Sequence, residues 1–239
     1  MKRTQLKSFF ILLKLIYELL LNYTKLTIDD YERNYAICQK ICNEVIQTLD
    51  LDIQIYGKRE IPKNNPYLLV SNHRSFFDII MLIATIEKPI SFAVAKELCN
   101  YPILKKYIHS IRCISIDREN KDILQVKEQI ENISSFLEKN ALALFPEGEC
   151  NYFNDEIKEF KKGGFVSAIQ TNTLILPTYI KFSDYQYIKR WVIPKGEVKI
   201  FFSSPFTPQE VFPKKAKAKQ LTLYSYEKIL ELQKKSFKQ

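Results

Sequence analysis

The spacing of apolar and polar positions changes several times along the chain, and each change marks an element. Residues 9–21, FFILLKLIYELLL, are an apolar run broken only by Lys14 and Glu18, and from 28 to 49 a second helical pattern carries Ile37, Ile41, Val45 and Ile46. The first fifty residues therefore read as a helical pair. The period then shortens to two. DIQIYG (52–57) alternates as a strand, YLLVS (67–71) is a short buried strand, and FFDIIMLIATI (76–86) is an apolar helix. Further strands are predicted at 90–95, 113–117, 141–145, 174–180 and 197–202, with helices at 101–110, 121–138, near 164–171 and at the C-terminal end, and a polar loop running to Lys162. Repeated strand–helix alternation predicts an α/β fold, a mostly parallel sheet flanked by helices, with the N-terminal helical pair added to it. Residues 1–50 form one predicted unit, and 51–239 form an α/β domain ending in a basic helix. In such sheets ligands and chemistry gather at the strands' carboxyl ends.

Charge and composition narrow the partners. At 239 residues and 46% hydrophobic the chain is large enough for a substantial core, and its formal charge is +9. An anionic partner fits that balance, whether nucleic acid, an acidic lipid surface or a phosphorylated substrate. Residues 214–239 hold eight Lys and two Glu, about two thirds of the excess. That tail reads either as a solvated helix face or as a contact for anionic headgroups. KKAKAK lacks interleaved aromatics, and no nucleic-acid-binding motif occurs, so nucleic acid is not an expected partner.

The run 9–21 is shorter than the roughly 20 residues a bilayer span needs, and no small-residue cleavage site follows it. Two readings compete: an interfacial helix with Lys2, Arg3, Lys7 and Lys14 near lipid phosphates, or an amphipathic helix packed on the core. Five cysteines without a CxxC pair favour a reducing setting over a disulfide scaffold or zinc site. No Walker loop, GxGxxG or metal-ligand cluster appears, so neither a nucleotide cofactor nor a metal is expected.

Two segments carry candidate chemistry. In VSNHRSFFDII (70–80), His73 follows a strand directly and Asp78 falls in the first turn of the next helix. An imidazole near pKa 6.5, with its Nδ1 proton held by a carboxylate, leaves Nε2 to take a proton from a hydroxyl. The competing reading is a helix cap, with Ser75 at the cap and Asp78 as its acidic third residue. In ALALFPEGECNYF (141–153) a buried strand enters Phe145-Pro146-Glu147-Gly148, where Pro ends the ladder and Gly frees the backbone. Glu147 at that strand end needs a partner or a task, unless it is an exposed turn residue. His109 reads as a surface or packing residue. Cys150 would act as a nucleophile only beside a base, and stays unassigned.

NHRSFFD and FPEGE in this order, with AKEL and CISIDR between them and LILPTYI after them, resemble the glycerolipid acyltransferase family, nearest to the 1-acylglycerol-3-phosphate acyltransferases. EFKKGG (159–164) and DIQIYGKREIP add to the likeness, which covers about residues 50–206. The resemblance implies that His73 deprotonates an acceptor hydroxyl, that Asp78 orients it, and that the alkoxide attacks an acyl thioester of coenzyme A or acyl carrier protein, with no cofactor. It further implies that Arg118 and the turn at Glu147 and Gly148 hold the substrate, with Lys96 and Lys161 as weaker candidates for the acceptor's phosphate. Oxyanion donors are expected among the N–H groups of that turn or of the helix start after His73. Substrates of this kind are amphiphiles, so the expected setting is the cytoplasmic face of the cell membrane, on an anionic surface and in peripheral or monotopic attachment. One departure stands out: where the family usually continues FPEG with Thr and Arg, this chain has Glu149 and Cys150. An added carboxylate there opposes a phosphate close by, leaving open other lysophospholipids, glycerol 3-phosphate, a glycolipid precursor or a silent lipid-binding role.

Overall fold

A computed structural model describes residues 3–27, 29–119, 122–152, 155–188 and 191–238. Lys2 and the side chains of Arg3 and Lys7 lie outside the described residues, and the lipid-phosphate expectation for them lies there too. All seven predicted strands form: Asp52–Tyr56 (β1), Tyr67–Ser71 (β2), Ile90–Ala95 (β3), Ile114–Ile116 (β4), Ala141–Leu144 (β5), Leu174–Ile188 (β6) and Trp191–Phe202 (β7). They make one sheet in the order β1-β7-β6-β2-β5-β3-β4. Every neighbouring pair is parallel except β6 with β7. β2 lies between β5 and β6 with all five residues buried, which explains why YLLVS is an unbroken apolar run rather than an alternating one.

The helices are Arg3–Tyr23 (α1), Tyr31–Thr48 (α2), Phe77–Thr85 (α3), Pro102–Ser110 (α4), Ile123–Leu137 (α5), Gly163–Thr171 (α6), Pro208–Val211 (α7) and Ala218–Ser236 (α8). Side chains alternate across the sheet, so consecutive residues feed different cores. Leu69, Ala143 and Leu176 join α2, α3 and α4 on one face, while Leu68, Leu142 and Ile175 join α5, α6 and α8 on the other. α6 approaches β5 closely because Gly164 has no side chain. A Cβ there would collide with the Leu144 side chain.

The helical pair shares this core. α2 buries Tyr35, Cys38, Ile41, Cys42 and Val45 against α3, and the Tyr35 hydroxyl donates to the Ile86 carbonyl at 3.0 Å. Cys38 and Cys42, four apart, are packing residues, and burial pushes the Cys38 thiol up to about 12. α1 has two apolar sides. Leu15 and Leu19 turn inward, while Leu13, Ile16, Tyr17, Leu20 and Leu21 are exposed. Lys14 is exposed but bonds inward, its Nζ donating to Thr48 Oγ1 at 2.7 Å. Among the described residues no helix is long and apolar enough to cross a membrane. At the other end α8 buries Leu221, Ile229 and Leu232, with Lys219, Lys234 and Lys235 exposed.

The strands β6 and β7 exceed their predicted lengths. Expected to stop at 180 and to start at 197, they continue to Ile188 and from Trp191 as a long antiparallel arm. Ser183-Asp184 and the Pro194-Gly196 stretch hid the arm from a reading of period. The ladder accommodates the first with a register shift between Phe182 and Asp184, and the second with Gly196 at φ +62°.

Candidate active site

The candidate site lies where β2 and β5 end. Their carboxyl ends are adjacent because the strands pair in parallel register, Val70 beside Leu144, which brings His73 next to the Phe145–Gly148 turn. The His73 ring stacks on Phe145 at 4.1 Å between centroids, 17° from parallel. His73 Nδ1 meets Asp78 Oδ2 at 2.8 Å, and the Asp78 side chain is 1% exposed. Oδ2 also accepts the backbone N–H groups of Arg74 at 2.8 Å and Ser75 at 2.9 Å. The same oxygen thus holds the imidazole and the backbone N–H groups ahead of α3, but the expected capping box is not formed: Phe76 stands at the N-cap without a side-chain bond, and the Asp78 N–H goes to the Ser75 carbonyl.

Glu147 is also spoken for. It is 3% exposed, which removes the exposed-turn reading. Its Oε1 accepts the His73 N–H at 2.7 Å and its Oε2 the Lys158 N–H at 2.9 Å. Burial raises its pKa, and the two backbone bonds and the nearby imidazole partly offset that. With both oxygens on backbone, Glu147 braces the loop that carries His73 rather than facing a substrate. The Asn151 N–H closes the brace by donating to the His73 carbonyl at 2.8 Å.

The expected oxyanion donors at the helix start are already used. The N–H groups of Arg74 and Ser75 go to Asp78, that of Phe77 to Ser75 Oγ at 3.2 Å, and that of Gly148 to the Phe145 carbonyl at 3.1 Å. The turn ahead of α3, folded around the Asp78 carboxylate, is what consumes them.

Before the site opens, His73 is tuned in opposing directions. Burial lowers its pKa, but the hydrogen bond and charge of Asp78, with a further hydrogen bond from the Cys150 side chain, more than reverse this and push it up to about 10. Cys150, unassigned from sequence, lines the same cleft as His73.

His73 opens onto a cleft of about 680 Å³ whose walls include Ile79, Val94, Ile116, Ile130, Ile133 and Leu144. Arg118, Gly148, Glu149, Cys150 and Lys161 line it as well. Arg118 Nη1 donates to the Gly148 carbonyl at 2.5 Å, and its Nη2 lies 3.7 Å from Glu97 Oε2. Lys161 flanks the same glycine: a Cβ on Gly148, whose φ is +74°, would sit 2.7 Å from Lys161 Nζ. Lys96 does not line the cleft, because its Nζ is paired with Asp117 Oδ2 at 2.5 Å. Glu149 is neutralised in turn by Lys158 at 2.9 Å, which holds its carboxyl below the usual range.

Sequence reading missed the residues that fix the loop from behind. Asn72 bridges to β6, its Nδ2 donating to the Ile180 carbonyl at 2.9 Å and its Oδ1 accepting the Ile180 N–H at 2.8 Å. Arg74 is buried over the Tyr185 ring at 4.6 Å and pairs with Asp155, and Ser75 Oγ donates to the Val192 carbonyl. Their partners lie on the β6–β7 arm or in the 151–162 loop, distant in sequence. The one local signal was polarity itself: Asn, Arg and Ser directly after a fully buried strand.

Among the described residues no group of three or more His, Cys, Asp or Glu could hold a metal ion. The fold is that of an α/β enzyme with a His–Asp dyad at the carboxyl end of its central strand. The Acyltransferase family model matches residues 52–181, more than half of the chain, and the protein belongs to that family. A 1-acyl-sn-glycerol-3-phosphate acyltransferase of Saccharomyces cerevisiae is 30% identical over 135 residues, 55% of this chain and 44% of the relative. A protein of the same name from Borreliella burgdorferi is 25% identical over 146 residues, 61% of this chain and 58% of the relative. The chain thus spans about half the length of these curated relatives. The crystal structure of the 1-acyl-sn-glycerophosphate (LPA) acyltransferase PlsC from Thermotoga maritima shares the fold, with a TM-score of 0.68 at 21% identity over 95% of this chain and 98% of that one.

Proposed function

We propose that the protein transfers a fatty acyl group from an acyl thioester to the free hydroxyl of 1-acylglycerol 3-phosphate, producing phosphatidic acid. The observation that carries this is the dyad itself: an imidazole fixed by a buried carboxylate at the mouth of an apolar cleft, with Arg118 and Lys161 on either side of Gly148. His73 accepts the hydroxyl proton as the oxygen attacks the thioester carbonyl, and Asp78 stabilises the imidazolium that forms. The guanidinium and ammonium flanking Gly148 take the acceptor's phosphate, replacing the arginine absent at position 150. Because the helix-start donors are consumed, the oxyanion falls to the N–H groups after Gly148.

The apolar walls suit the acyl chains. A second hollow of about 100 Å³ beneath α1 and α2 shares Phe76, Ile79, Val94 and Leu98 with the cleft, giving a chain room to extend. The exposed stripe of Leu13, Ile16, Tyr17 and Leu20 on α1 supports attachment to the cytoplasmic face of a membrane, the helix lying in the interface. Replacing Leu13, Ile16 and Leu20 with Ser should shift the protein from sedimenting vesicles to the supernatant.

The deciding experiment is acyl transfer from labelled acyl-CoA, and from acyl carrier protein, to a panel of lyso acceptors. Transfer to 1-acylglycerol 3-phosphate that vanishes in His73→Ala is expected. Glu149 supports a second reading, a lysolipid with another headgroup, and transfer confined to such an acceptor would establish it.

A further inference from the structure

Three cations act on one carboxylate at the rim of the cleft. Gly148 turns the chain at φ +74°, and on its two sides Glu147 is 3% exposed while Glu149 reaches the rim and lines the cleft. Arg118 and Lys161 flank that glycine. Lys158 is the third cation: its Nζ donates to Glu149 Oε1 at 2.9 Å, while its N–H is fixed by Glu147 Oε2 at 2.9 Å. It is anchored through its backbone to one carboxylate of the turn and through its side chain to the other. Lys158 does most to hold the Glu149 carboxyl below the usual range, and the charges of Lys161 and Arg118 add to it. A carboxylate set among these cations has the partners that a phosphate at the rim would need.

Resting on the acceptor reading above, we propose that the Glu149 carboxylate stands in for the acceptor's phosphate in the free enzyme, and that Lys158, released when the phosphate displaces it, becomes a specificity-determining phosphate ligand. The exchange swaps one anion for another. Glu149 swings out to water, the phosphate oxygens take its place, and the Lys158 ammonium passes from the first to the second without being left unpaired. Opening the pair costs little, because the Lys158 and Glu149 side chains are 40% and 63% exposed and a pair in that setting contributes little. Closing on the phosphate gains more, since a phosphate monoester carries up to two negative charges and three strong acceptor oxygens. An acceptor without a phosphate cannot draw Lys158 away, and the pair stays shut. Glu149 therefore selects for phosphate rather than obstructing it, and Lys158 supplies from the 151–162 loop the charge missing at position 150.

The test is acyl transfer to 1-acylglycerol 3-phosphate by the full-length wild type, Glu149→Gln, Lys158→Ala and the double variant. Glu149→Gln removes the competing anion and should lower KM about two- to fivefold, the scale of an exposed ion pair. Adding Lys158→Ala to Glu149→Gln should raise KM at least about tenfold, the loss of one charge-assisted bond to phosphate, whereas Lys158→Arg in that background should keep KM low. The Lys158 N–H that braces Glu147 survives each change, so the effects should fall on KM rather than kcat. If Lys158→Ala leaves KM unmoved once Glu149 is neutral, Lys158 only neutralises the carboxylate and the proposal is overturned. A rise in KM on Glu149→Gln overturns it as well, because the carboxylate would then be a contact for the acceptor. Inorganic phosphate, titrated by calorimetry into the same four proteins, reads the site without an acceptor. It should bind Glu149→Gln about two- to fivefold more tightly than wild type, and the double variant at least about tenfold more weakly than Glu149→Gln. Equal phosphate affinity in all four overturns the proposal. The expected order of phosphate affinities in a protein that does not acylate 1-acylglycerol 3-phosphate upholds the stand-in and overturns the acceptor assignment instead.

Discussion

The floor of the cleft and its rim are built on opposite principles. On the floor, His73, Asp78 and Glu147 are buried or nearly so, and their bonds run to one another and to backbone N–H groups at 2.7–2.9 Å. On the rim, Arg118, Lys96 and Lys158 are substantially exposed and meet Glu97, Asp117 and Glu149 as surface ion pairs. Buried charge–backbone bonds fix geometry and are expensive to disturb, whereas exposed pairs contribute about 0–1 kcal/mol and rearrange freely. On the proposed function, the floor holds the chemistry and the rim chooses the acceptor. This explains how the position after the FPEG turn can hold Glu149 and Cys150 while the dyad remains whole.

The sharpest way to break the comparison is at the dyad. His73→Ala should lower kcat about 10²–10⁴-fold with little loss of stability, and Asp78→Asn should do nearly as much by releasing the ring. The pH profile separates the two effects. The base must be neutral, so a His73 pKa pushed up to about 10 places the acid limb of kcat/KM in the alkaline range, with rate rising as pH approaches that value. Asp78→Asn removes a cause of the upward shift, so its residual activity should show an acid limb at lower pH. Stability runs the other way: the interaction that raises the folded pKa stabilises fully below about pH 6.5 and is lost as pH climbs toward 10. An unchanged limb in Asp78→Asn would show that Asp78 acts only as a helix cap.

Much of the floor was legible in the sequence because its parts are local. Seven strands were readable from alternation or from short buried apolar runs, and His73 and Asp78 lie within one strand–helix junction, where spacing constrains geometry. The rest depends on register. Nothing near Glu147 indicates that its carboxylate spans to the His73 and Lys158 N–H groups, which are 74 and 11 positions away. Asn72 and Arg74 were passed over, and Ser75 was read only as a helix cap, because their partners, Ile180, Asp155 and Val192, come from segments whose approach only the assembled sheet determines. The β6–β7 arm was shortened because turn-forming residues interrupt its period, although the backbone pairs through them.

Glu147 tests whether the floor's rigidity matters apart from its titratable groups. Glu147→Ala leaves two backbone N–H groups without acceptors, a loss of about 1–3 kcal/mol for each in denaturant unfolding. kcat should fall with it because the loop carrying His73 is no longer braced. Glu147→Gln keeps one acceptor oxygen and should recover part of both. Full activity in a destabilised Glu147→Ala protein would mean that Asp78 alone positions the ring.

The rim should respond more mildly and mainly in KM. Arg118→Ala removes a cation that also ties the Gly148 carbonyl at 2.5 Å. A charge-assisted bond to phosphate is worth about 1.5–3 kcal/mol, so KM for a phosphorylated acceptor should rise about 10–100-fold, and for an uncharged headgroup hardly at all. Lys96→Ala should do least. Its ammonium is half exposed, is paired with Asp117 and is not among the residues that line the cleft, so both parameters should stay within about threefold, the scale of a surface ion pair. A KM effect from Lys96 as large as that from Arg118 would mean that the acceptor's phosphate sits outside the cleft, beyond the Arg118–Gly148 link. The rim would then belong to the binding site along its whole length, and the division between fixed floor and adjustable rim would shift outward by one ion pair.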